Sequence, residues 1–80
     1  MFGRNEAMNT MKLLDVIVLL EDIPEYKLVR GQTGTLVEPL APGVWEVEFS
    51  DKRGQAYAML ALREDQMLKL VETPMVTSGN

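Results

Sequence analysis

Apolar residues fall along this chain in short runs of strand length, and no heptad or internal repeat interrupts them. Leu13 to Leu20, LLDVIVLL, is apolar except at Asp15 and rich in β-branched residues, which predicts a first strand. Glu21-Asp22-Ile23-Pro24-Glu25-Tyr26 follows, where a proline among acids forbids a central strand and predicts a loop that returns irregularly through Arg30. Gly31 and Gly34 permit the positive φ or close backbone approach that entry into a bent strand requires, and a second strand is expected from Thr33 to Glu38. Ala41-Pro42-Gly43 is a reverse turn, because proline suits its second position and glycine its third.

VWEVEF carries the cleanest alternation in the chain, with Trp45, Val47 and Phe49 on one face and Glu46 and Glu48 on the other. It predicts a third strand whose aromatic face is core. Ser50 to Gly54 is a second hairpin loop, with Gly54 closing it, and Gln55 to Leu60 is the fourth strand. Leu62 to Gln66 is a single helical turn, and Met67 to Val71 the fifth strand. The whole is expected to be all-β: a small five-stranded SH3-like barrel with a one-turn helix before the last strand. An open sheet of four or five strands is the alternative. The barrel domain runs from residue 11 to 72, between polar tails at 1–10 and 73–80 that are expected to be disordered. Met11 is the alternative start.

Three of the strands do not alternate. VIVLL, AYAMLAL and MLKLV are almost wholly apolar, yet a barrel strand buries one face and wets the other. The surplus apolar side chains, Tyr57, Met59 and Met67 foremost, are expected on the outer face of strands one, four and five, where a homodimer contact or a protein partner would cover them. The acidic first loop is the second candidate surface. Glu21, Asp22, Glu25 and Tyr26 could combine with Trp45 as in proline-peptide readers, but Trp45 shares its face with Val47 and Phe49 and is assigned to the core.

Composition narrows the chemistry. The chain has 80 residues and neither histidine nor cysteine, so the usual general base, thiolate nucleophile and soft metal ligands are missing, as is any disulfide framework. Ser50 and Ser78 have no imidazole to activate them. No enzyme, cofactor, metal site or small-molecule substrate is expected. Twelve acids against eight bases give a net charge of −4, a poor match for nucleic acid. No run approaches the roughly 20 apolar residues of a membrane span, and the absence of cysteine fits a cytoplasmic protein.

Taken together, LLEDIP, LVRGQTGTLVE, VWEVEFSD and ALREDQ resemble a family of small bacterial proteins, common in cyanobacteria, catalogued as domain of unknown function 4926. The resemblance spans Leu13 to Leu70, and its members usually begin near Met11 of this chain. It implies an SH3-like barrel with no settled activity and no catalytic residues to carry over. The toxin-like neighbours of some members imply an antitoxin, immunity-like or accessory binding role. A looser similarity links Gly34 and the alternation around it to the KOW hairpin of ribosomal proteins and transcription elongation factors, without that hairpin's basic flanks. The expectation is therefore a non-enzymatic protein-interaction module, with a KOW-like nucleic-acid or ribosome-associated domain as the rival.

Overall fold

The computed structural model describes residues 10–70. The expected disordered tails lie outside that range, except for Thr10, whose carbonyl accepts a hydrogen bond from Lys69 Nζ at 2.9 Å. Five strands form one antiparallel sheet: β1 (Val16–Leu19), β2 (Thr33–Ala41), β3 (Val44–Ser50), β4 (Ala56–Arg63) and β5 (Met67–Lys69). Their order is β4-β3-β2-β1-β5. With a 3-10 turn at Glu64–Gln66 just before β5, this is the topology of a small SH3-like barrel, left open between the two strands that end the order.

The core lies on one face of the sheet. Ile17 and Leu19 of β1, Leu36 of β2, Trp45, Val47 and Phe49 of β3, Leu60 and Leu62 of β4 and Met67 of β5 are all buried there. Ile23 and Leu28 of the first loop, joined by an isolated bridge, close it. Burial thus alternates even where hydropathy does not: in β1 Ile17 and Leu19 are buried while Val16 is exposed, and in β4 Leu60 and Leu62 are buried while Met59 and Ala61 are exposed.

The boundaries shift for local reasons. β1 starts at Val16 rather than Leu13 because Asp15 accepts the Lys12 N–H at 2.8 Å and returns its own N–H to the Lys12 carbonyl at 3.0 Å. That turn holds Leu14 at φ 71°, outside strand geometry. β2 runs on past Glu38 to Ala41 because register shifts around Glu38 and Pro39 absorb a proline that cannot donate to the ladder. β4 starts one residue later and ends three later than the pattern indicates. Asp51 recruits the Gln55 N–H into the hairpin loop, while Ala61, Leu62 and Arg63 keep pairing with Glu46, Trp45 and Val44. The single helical turn starts correspondingly late, at Glu64, and a second 3-10 turn at Pro24–Tyr26 replaces irregular loop. β5 ends at Lys69, and Val71 lies outside the described residues.

Two glycines show different reasons for being glycine. Gly43 adopts φ 77° in the hairpin turn after Pro42, the left-handed position of that turn. Gly34 has no such requirement. A Cβ there would sit 2.8 Å from Val47 Cγ1 and 2.9 Å from Phe49 Cε2, so the backbone of β2 crosses directly over the core.

Candidate functional site

Two acids of the first loop, Asp22 and Glu21, are engaged in hydrogen bonds. Asp22 Oδ1 accepts the Arg30 N–H at 2.8 Å, tying the two ends of the return together, and Glu21 Oε2 accepts from Gln66 Nε2 at 2.9 Å. Glu25 and Tyr26 sit exposed on the 3-10 turn. Trp45 is buried, and its indole N–H donates to Glu64 Oε2 at 2.9 Å. The acidic loop and the tryptophan therefore do not assemble an aromatic groove.

The outer face divides into zones along the sheet. Val16 on β1, Leu68 on β5 and Leu70 just after it are exposed. Thr33 and Thr35 of β2 and Glu46 and Glu48 of β3 separate that apolar zone from Met59 and Ala61 of β4. Glu38 stands directly opposite Glu46, a like-charge pair that adds to the negative potential of this stripe. Among the described residues no group of three or more His, Cys, Asp or Glu is placed to hold a metal ion.

Met67 does not belong to the outer face, contrary to the expectation from sequence. It pairs with Leu19, whose side chain faces the core, and opposed residues of an antiparallel pair share a face, so Met67 is buried and Leu68 takes the outward position. The same register turns Lys69, opposite Ile17, toward the inner side. There its ammonium meets Asp15 Oδ2 at 3.2 Å, with only 13% of the lysine side chain exposed. Burial of Asp15 by itself disfavours its charge, but the Lys12 N–H and the Lys69 ammonium outweigh that and hold its carboxyl below the ordinary value of 3.8.

The two edges of the sheet are consequently unlike. β5 is three residues long and carries an inward-turned lysine, two of the devices by which natural sheets discourage further pairing. β4 has eight residues, no proline, and no charge before its last position, Arg63. Its backbone directions follow from one bond. Glu64 N–H donates to the Gly43 carbonyl at 2.9 Å, which makes the adjacent pair Val44–Arg63 a non-hydrogen-bonded one. Alternation then bonds Leu62 to Trp45, Leu60 to Val47 and Ala58 to Phe49, and turns the N–H and C=O groups of Met59 and Ala61 away from β3. Arg63 would do the same, but its N–H already donates to Gln66 Oε1 at 2.7 Å.

Tyr57 marks the start of this edge. The register slips between Phe49 and Ser50, so Tyr57 is the extra residue of a bulge, and its hydroxyl accepts a hydrogen bond from Gln32 Nε2 just before β2. Tyr57 as a whole remains about half exposed. Sequence reading reached Tyr57 and Met59 through their exposure. It missed Ala61, whose importance lies in its backbone; the signal was present in AYAMLALR as a strand without proline or internal charge.

A family model described as "Domain of unknown function (DUF4926)" matches residues 13–69. No curated protein and no solved structure matches the chain.

Proposed function

The chain belongs to this family of unknown function (DUF4926), and we propose that it is a non-enzymatic protein-interaction module that receives an extended polypeptide strand along the open edge of β4. The observation that carries the reading is the direction of the Met59 and Ala61 backbone groups away from β3, on a strand that lacks the usual guards. Main-chain hydrogen bonds to such an edge supply affinity, and alternate side chains supply selectivity. Tyr57 and Met59 are the exposed apolar anchors. The lack of histidine and cysteine supports a binding role over a catalytic one. An immunity-like or accessory role is one form such binding would take.

The β4 edge is favoured over the first loop because Asp22 and Glu21 are already committed to Arg30 and Gln66. It is favoured over the β1–β5 zone because that surface offers side chains but an edge of only three residues, guarded by Lys69. Capture of partners from a host lysate by the immobilised chain tests this choice. Ala61→Pro deletes an edge-directed N–H without touching the bonds to β3, and should lose a partner that both wild type and Leu68→Ser retain. Retention by Ala61→Pro together with loss by Leu68→Ser would move the site to the opposite end of the sheet.

A further inference from the structure

Resting on the reading of β4 as a strand-accepting edge, we infer that the strand it accepts is β4 of a second copy of this chain, paired antiparallel about a two-fold axis through Leu60. In that register Met59 of each copy opposes Ala61 of the other. These are the residues whose N–H and C=O groups point outward, so each pair exchanges both hydrogen bonds of an antiparallel ladder. A slip of one residue would set them against Leu60, whose groups are already bonded to Val47. A slip of two toward the C-terminus would set Met59 against Arg63, whose N–H is held by Gln66.

The side chains agree with the same register. The long Met59, exposed in a single copy, lies beside the small Ala61, so bulk meets space twice across the axis. Leu60, at the margin of the core, meets its own counterpart. Arg63 comes opposite Tyr57, but its guanidinium is already paired with Asp65 Oδ1 at 3.0 Å, so the register rests on Met59, Leu60 and Ala61. Glu46 and Glu48 stay one strand in from the edge, which keeps the acidic stripes of the two copies apart. The result is one sheet continuous across two barrels, an isologous contact that closes and leaves no further open β4 edge.

The chain has no cysteine, so single cysteines report the register directly. An equimolar mixture of Met59→Cys and Ala61→Cys full-length chains, oxidised mildly, should give the mixed disulfide in about tenfold excess over either homodisulfide, because directly opposed Cα atoms lie within bridging distance and diagonal ones do not. Sedimentation equilibrium of the wild-type chain from about 10 μM to about 1 mM, a range suited to a small interface, should show the mass rising toward two chains. Ala61→Pro should weaken this association about tenfold or more. A wild-type chain that stays monomeric at 1 mM, with disulfides in statistical proportion, overturns the inference; the cysteine mixture decides even if Ala61→Pro fails to fold. Monomeric wild type combined with loss of a lysate partner by Ala61→Pro overturns the second copy alone, whereas monomeric wild type with every partner retained by Ala61→Pro overturns the strand-accepting edge as well.

Discussion

Asp15, Gly34 and Lys27 show how single residues set the terms of this fold. Asp15 accepts the Lys12 N–H and pairs with Lys69 at the inner margin of the edge strand, and its carboxyl titrates below its ordinary value. A folded-state value below the unfolded one contributes stability that is fully present above the ordinary carboxylate range and lost as pH falls through the folded value. Asp15→Asn should therefore cost about 1 to 3 kcal/mol near neutral pH, with the gap to wild type closing below about pH 4. Urea titrations at several pH values measure it, and a gap that widens in acid would refute the assignment. At Gly34 even a methyl group would meet Val47 and Phe49 at under 3.0 Å, so Gly34→Ala should cost about 1 to 3 kcal/mol by overpacking. Lys27 carries the opposite kind of strain, with φ 59° after the first 3-10 turn. Lys27→Gly should be neutral to stabilising by up to about 1 kcal/mol, read as a small rise in Tm.

At the scale of elements, the hairpins of β2, β3 and β4 were legible because turn chemistry and the alternation of VWEVEF pointed the same way. Trp45, Val47 and Phe49 could be placed inward from period two alone, and all are buried. Trp45→Ala should cost about 3 to 5 kcal/mol in chemical denaturation, since it removes a buried aromatic and strands Glu64 without its indole partner. The faces of β1, β4 and β5 were not legible in the same way. Leucine, valine and methionine occupy both sides of these strands, so hydropathy could not separate Met67 from Leu68; only the pairing of Met67 with Leu19 does. Which backbone groups face an edge is further from sequence still, because it depends on bond phase across β3 and β4 rather than on side-chain type.

On the scale of the whole molecule, an acidic chain presents Glu38, Glu46 and Glu48 on the outer face of β2 and β3 and two unequal edges at the ends of the sheet. Among the described residues no helix is long and apolar enough to cross a membrane. The exposed pair Lys52-Arg53 lies in the second hairpin loop and is the only place in the sequence where two bases are adjacent. RNA and DNA should thus show no retardation by the protein even at low salt, and binding that weakens steeply as salt rises would favour the KOW-like rival. The most direct test of the β4 edge is residue-resolved amide hydrogen exchange along Ala58 to Leu62. In dilute protein Leu60 and Leu62 should be protected and Met59 and Ala61 should exchange freely, with protection appearing at Met59 and Ala61 as concentration rises or a strand-supplying partner is added. Met59 and Ala61 amides already protected in dilute protein, or unchanged when the edge should be occupied, would contradict the account.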